Sequence, residues 1–400
     1  MDLILILVFA LFGFFAGIIT GLIPGLHVNN FAFIALALFI NSEPEFSLLI
    51  SIFIISMSLT SSFIEFIPNL LLFLPDSDNF LSILPGQKMF LQGKAFQAVY
   101  LTAFAGLVSG VISIIIFYPL LFFFDSLWFL VKDFIWVLLV IVLILMVFEK
   151  KSFKEWFFTL IIVLLSGFLG LVSFEFLFID EPLFSLIAGF FGISAILNSL
   201  ESKGYSVKQS LDIEPIDFLQ TIKLTSISLF AGLFIALMPG VSPALTALIL
   251  SQMIGTISSK EFLFVIGSVS MTNFVFSFGA LISIEKARSG AALAISNLIV
   301  LTQNEVILIM GISLIIIPLA FLTCLFLSKK LINELNKINL RPLLITILLF
   351  QLVLVFFFSG FLGLVVSFLA LIIAFLAADL GVKRSTCMSC IMLPMVIRFF

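Results

Sequence analysis

Charge is what the sequence has least of. Its 400 residues include 19 Lys and Arg, 22 Asp and Glu and one histidine, so charged residues make up 10% of the chain against 62% hydrophobic. With a mean hydropathy of +1.36, there is too little polar surface to cover a water-soluble globule of this size, and the composition is that of a polytopic membrane protein. Reactive side chains are scarce too. Cys324, Cys387 and Cys390 give no disulfide framework, and Cys387-Met388-Ser389-Cys390 has no second pair to complete a metal knuckle. No HExxH, GxSxG or Walker A pattern occurs, and His27 is the one imidazole that can act as a base, which argues against an enzyme and against a bound cofactor. Without an ATPase domain, transport has to draw on an ion gradient, a substrate gradient or a separate subunit. The net charge of -3 says nothing about nucleic acid by itself, but no basic patch occurs beyond loop lysines, so no nucleic-acid partner is expected.

Polar stretches are short. The longest runs from Glu201 to Lys223, which divides the chain into a first transmembrane repeat (1–200), a cytoplasmic linker (201–223) and a second transmembrane repeat (224–400). The N-terminus lacks a basic n-region and a small-residue cleavage site, so Leu3 onward reads as a retained segment of a multi-pass protein of the cell membrane.

What is there is a set of apolar runs, two of them interrupted in the same way. Leu3 to Ile23 is about the ~20 residues that cross a bilayer, and it ends on Pro24-Gly25-Leu26-His27-Val28-Asn29-Asn30. Proline removes a backbone donor and glycine has the weakest helix preference after proline, so the helix breaks here. Broken backbone at membrane depth is tolerated only where protein or a watery cavity surrounds it. At a constant offset of 215 residues, Phe230 to Pro243 repeats the pattern of Phe15 to Val28 and places Pro239-Gly240-Val241-Ser242 opposite the first break. Paired breaks in two halves are the sequence signature of a secondary transporter's binding site.

The intervening spans are Phe46 to about Pro75 carrying Glu65, Ala95 to Leu121 with Gly106 and Gly110 at close-approach spacing, Leu127 to Phe148, Phe157 to Val172 and Leu183 to Leu200. The second half offers Phe262 to Ile284, a span ending near Ser328, Leu343 to Ser359 and Phe361 to Ala378. If each broken segment is a hairpin that returns to its own side, the lysines and arginines at 88, 94, 150, 151, 154, 203, 208, 223, 260, 329 to 341, 383 and 384 share the cytoplasmic face. Asp2, Glu43, Glu45, Asp125, Glu175, Asp180 and Glu181 share the other, with Lys286 and Arg288 as the exceptions. The same count makes the halves inverted repeats. The expected fold is therefore an all-α integral membrane bundle of two inverted repeats, each with a Pro-Gly-broken helix.

Inverted broken helices can present half-helix N-termini, each with free N–H groups and a partial positive charge, to one anion near the mid-plane. His27, Asn29 and Asn30 from one repeat and Ser242 and Thr246 from the other can add hydrogen bonds; Ser268, Ser270, Thr272 and Asn273 are candidates for the cavity wall, or for bonds between neighbouring helices. Arg288 can hold a carboxylate or phosphate bidentately, with a lipid-headgroup anchor as the alternative. Glu65 is the intramembrane acid suited to carry a proton or coordinate Na⁺, against the alternative of a structural buried acid.

These motifs, with Pro85-Gly86-Gln87-Lys88-Met89, Gly93-Lys94-Ala95 and Lys286-Ala287-Arg288-Ser289-Gly290-Ala291-Ala292, resemble the large permease of the tripartite tricarboxylate transporters, the TctA-like family, in a shorter, archaeal-type branch. The resemblance implies a carboxylate permease working with a small membrane subunit and an extracytoplasmic binding protein. It implies that Pro24, Gly25, Pro239 and Gly240 stand at substrate-facing breaks and that Gly86, Met89 and Gly93 lie in a glycine-bearing loop. The chain departs from the family where Leu26 to Asn30 replaces a glycine-rich continuation. Pro239-Gly240-Val241-Ser242 also looks like the break of polyprenyl-phosphate translocases. A lipid-phosphate carrier of that kind predicts a lateral opening lined by Phe and Leu; a membrane scaffold or intramembrane enzyme predicts breaks that do not converge.

Overall fold

The computed structural model describes residues 2–399 except 24–27, 75–78, 132–133, 149–152, 176–178, 180, 202–207, 215, 238–241, 255–257, 285–288 and 337–339. Among the described residues the secondary structure is helical throughout. The first half contains α1 (Leu3–Leu22), α2 (Val28–Phe39), α3 (Pro44–Ile64), α4 (Phe66–Leu71), a 3₁₀ turn (Phe80–Ser82), α5 (Ile83–Leu91) and α6 (Ala95–Val131). It continues with α7 (Ile135–Phe148), α8 (Phe153–Glu175) and α9 (Pro182–Ile187), which passes through a π turn (Ala188–Ile193) into α10 (Ser194–Glu201). The second half contains α11 (Phe218–Leu237), α12 (Pro243–Ile254), α13 (Ser259–Ile284), α14 (Gly290–Leu298), α15 (Gln303–Leu335), α16 (Leu340–Asp379), a second 3₁₀ turn (Arg384–Met388) and α17 (Ser389–Phe399). Nine helical segments among the described residues are long and apolar enough to cross a membrane.

Local chemistry sets the helix starts. Asp2 caps α1 by accepting the Ile4 N–H at 3.0 Å; Pro44 supplies the fixed φ that suits a first turn; Thr302 and Glu305 close a capping box on α15. One expected boundary moves. The spans Ala95–Leu121 and Leu127–Phe148 are not separated at Asp125, because α6 runs on to Val131. Pro119 lies inside α6 without ending it, and a single aspartate costs a helix only a fraction of a kcal/mol, too little to stop one. What remains for α7 is 14 residues, too few to cross alone. The break between Leu343–Ser359 and Phe361–Ala378 is present as a kink inside α16 at Gly360, whose φ of 66° favours glycine.

Glycine contacts give the helix directions. A methyl group on Gly13 would meet Phe53 and Ser56, on Gly17 Met57 and Thr60, and on Gly21 Ser61 and Ile64. Each step along α1 matches an equal step along α3, so the two helices run parallel. The chain has to come back between them, and α2 brings it: Phe39 at its end and Phe9 of α1 both pack on Phe46 at the start of α3. The first broken segment is therefore a hairpin. In the second half, Gln220 bonds Glu261 near the starts of α11 and α13, and Gly232 faces Thr272 and Asn273 further along both, so this pair is parallel as well. Gly232 is the counterpart of Gly17 at the 215-residue offset, and it does the same job.

Two long helices lie at the centre. α6 runs parallel to α13, with Thr102 against Gly267, Gly110 against Met271 and Phe124 against Gly279. It runs antiparallel to α15: Gly110 faces Ile317, while residues 114–118 lie across a cavity from residues 306–314. The polar segment before α11 agrees. Gln209 accepts the Ala95 N–H at the start of α6 and exchanges two hydrogen bonds with Asn336 at the end of α15. Five residues on, Glu214 pairs with Lys94 and Lys260 at the starts of α6 and α13. These two lysines pull its carboxyl down to about 2, Lys260 contributing most. The segment straps three helix ends on the lysine-bearing face. Arg398 pairs with Glu175 at 2.8 Å, which sets a third basic residue beside the acids that the loop count assigns to the other face.

Outside this centre, α8 lies against α17, where Gly170 lets the Cys390 backbone approach and Ser166 bonds Ser389 at 2.6 Å. The second part of α16 lies against the α9 to π-turn segment through Ser367 and the Ser185 carbonyl at 2.9 Å.

Candidate functional site

Six of the expected site residues, Pro24, Gly25, His27, Pro239, Gly240 and Arg288, lie outside the described residues, as does the side chain of Asn30. Their immediate neighbours are described, and these come together. Asn29 Oδ1 accepts the Ala291 N–H at 3.0 Å, and Ser289 Oγ accepts the Ala292 N–H at 3.1 Å, so α14 starts with two side-chain caps, one from each half of the chain. Gly290 makes room for this: a Cβ there would sit 2.7 Å from Asn29 Cβ and Cγ. The described residues that follow positions 27 and 288 thus meet at one contact.

The other half has a matching arrangement. Ser242, the first described residue after the second break, accepts the Leu245 N–H at 3.3 Å and so caps α12, and Thr246 returns its hydroxyl to the Ser242 carbonyl at 3.1 Å. α12 packs against the 3₁₀ turn Phe80–Ser82, which follows segment 75–78 and Asn79. Each break is thus followed by a short helix that packs on the opposite half: α2 on α14, and α12 on the 3₁₀ turn Phe80–Ser82.

A buried polar bridge joins the two halves a second time. Asn79 donates from Nδ2 to Glu65 Oε1 and accepts from Ser270 Oγ at 2.5 Å; Asn79 is fully buried and Ser270 nearly so. Glu65 was legible as an intramembrane acid. Its partners were not, since Asn79 and Ser270 are 191 residues apart in sequence. Of the expected cavity wall, Ser268 and Thr272 are fully buried, with Thr272 bonded to the Ser268 carbonyl at 2.8 Å, and Asn273 is half-buried beside Gly232. Sequence reasoning missed Phe73, which closes α4 at φ 57° with a fully buried ring. A bulky residue in the left-handed region is strained, and such strain gathers at functional sites.

A helical membrane bundle with two interrupted apolar segments, short helices capped beside them and a carboxylate within one of its spans defines a membrane transport protein by class. Comparison with known proteins makes this specific: the model of the tripartite tricarboxylate transporter TctA family matches residues 7–389, and the chain belongs to that family. It is also 32% identical over 357 residues to the uncharacterized protein MJ1079 of Methanocaldococcus jannaschii, covering 86% of this chain and 85% of that one. No solved structure matches the chain.

Proposed function

We propose that the chain is a secondary permease for an organic anion bearing carboxylates, held between the two broken segments near the mid-plane and coupled to H⁺ or Na⁺ at Glu65. The observation that carries this is the Asn29–Ala291 contact, because it fixes the described ends of the His27-bearing and Arg288-bearing segments side by side. In this reading His27, Asn30 and Arg288 face the anion with the backbone at Pro24-Gly25, and Ser242, Thr246, Asn273 and the Pro239-Gly240 backbone approach from the other half. Asn29 serves mainly to hold the two segments together. The antiparallel packing of α6 and α15, the long helices that follow α3 and α13, supports an inverted repeat, and the polar stretch of the sequence puts its boundaries near 200 and 224. Family membership supports a carboxylate substrate, a small membrane subunit and an extracytoplasmic binding protein as partners.

A second reading has one observation in its favour. An apolar cavity of about 310 Å³ lies between α6 and α15, lined by Ile114, Phe117, Tyr118, Ile307, Met310 and Leu314, as a carrier of polyprenyl phosphate requires. Uptake of labelled citrate into proteoliposomes separates the readings. Arg288→Gln is expected to reduce it about tenfold or more, the scale of one lost charge-assisted bidentate contact, without changing protein level. Unchanged uptake removes Arg288 from the site.

A further inference from the structure

Glu65 stands where α3 gives way to α4. Pro68 is the local cause: it has no N–H, so the Ile64 carbonyl loses its helical donor just before the glutamate. Asn69 lies one turn beyond Glu65 and bonds its carbonyl through the backbone at 3.2 Å, which puts both side chains on one side of the helix. The Asn69 side chain is fully buried, and neither its Oδ1 nor its Nδ2 has a hydrogen-bond partner. An orphaned amide in a protein interior is rare and demands an explanation. Asn79 is the third member, spanning from Glu65 to Ser270 of α13.

We infer that Glu65, Asn69, Asn79 and the freed Ile64 carbonyl form a sodium site. A proton would need only one carboxylate oxygen, whereas neutral amide and carbonyl oxygens gathered around a carboxylate are what a hard cation takes. The helix continues through Glu65, whose N–H bonds the Ser61 carbonyl, so the Ile64 carbonyl that Pro68 leaves without a helical donor is the one backbone ligand the site takes. A half-turn of the Asn79 amide brings its Oδ1 to the Glu65 side, and Ser270 tolerates this because a hydroxyl both donates and accepts. Binding would then act on Asn79, which leads into the turn that α12 packs against, and so on the second break. That coupling role rests on the permease reading; the existence of the site does not.

The test is thermal unfolding of the purified full-length protein in NaCl and in KCl at equal ionic strength, with no organic anion added. The site predicts a saturable, sodium-specific rise in Tm that is lost in both Glu65→Gln and Asn69→Leu. Asn69→Leu keeps the shape of the side chain, so a purely structural Asn69 would leave the sodium response intact; this variant decides the question if Glu65→Gln does not fold. Equal responses to the two salts, stabilisation that follows pH and not sodium, or a sodium response surviving Asn69→Leu would each overturn the site. Because no anion is present, a negative result leaves the anion reading standing, and failure of the anion reading leaves the sodium result untouched.

Discussion

At the scale of single residues, the contact between Asn29 and Ala291 carries more than its size indicates. Loss of a capping side chain costs about 1 kcal/mol, and here the cap also ties two halves of the chain together. Asn29→Ala is expected to lower stability by about that amount and to reduce anion uptake by more than the stability loss explains. Asn29→Asp, which keeps an acceptor, is expected to restore the melting temperature. Equal uptake by Asn29→Ala and the parent protein would mean the contact is only structural. The sequence exposed Asn29 as a polar residue in a broken apolar run, because lipid does not welcome amides. It did not reveal the partner, since the Ala291 N–H is 262 residues away and backbone donors look alike in a sequence. Glu65 repeats the lesson: the acid was visible and its bridge through Asn79 was not.

At the scale of elements, close approach through glycine is the organising device. Gly106 and Gly110 were legible from their spacing and do bring α6 against neighbouring helices. Gly13, Gly17 and Gly21 have the same spacing and pack α1 on α3; the signal was equally available there. Small residues matter more in a bilayer than in water because apolar side chains gain nothing by leaving lipid, so packing itself drives association. Gly17→Leu would force a side chain into space where even a Cβ comes within 2.4 Å of the Met57 carbonyl oxygen. A loss of about 1–3 kcal/mol or more is expected, seen as a lower Tm in detergent, and Gly232→Leu should destabilise too, because a Cβ there already comes within 2.5 Å of the Thr272 side chain. If Gly17→Leu melted with the parent protein, the parallel α1–α3 packing would be wrong. The end of α6 was misplaced in the sequence because an exposed aspartate near a membrane surface reads as a boundary, while backbone geometry has no reason to break there.

At the scale of the whole molecule, three long helices bear on the inverted-repeat proposal. α6 lies parallel to α13 and antiparallel to α15, and the strap from Gln209 to Glu214 collects the matching ends on the lysine-bearing face. Loop charge alone pointed to that face, because the positive-inside bias is a property of composition. The packing of α2 on α14 and of α12 on the Phe80–Ser82 turn was beyond reach, since nothing local encodes it.

The central claim is that the junction of the two breaks holds a carboxylate. It is tested most directly by thermal unfolding of the purified protein against citrate, shorter dicarboxylates, inorganic phosphate and a polyprenyl phosphate, since a ligand that binds only the folded state raises its melting temperature. A rise with one or more carboxylates that disappears in His27→Ala is the expected result. A rise with the polyprenyl phosphate alone would contradict the claim and assign the cavity between α6 and α15 to a lipid tail.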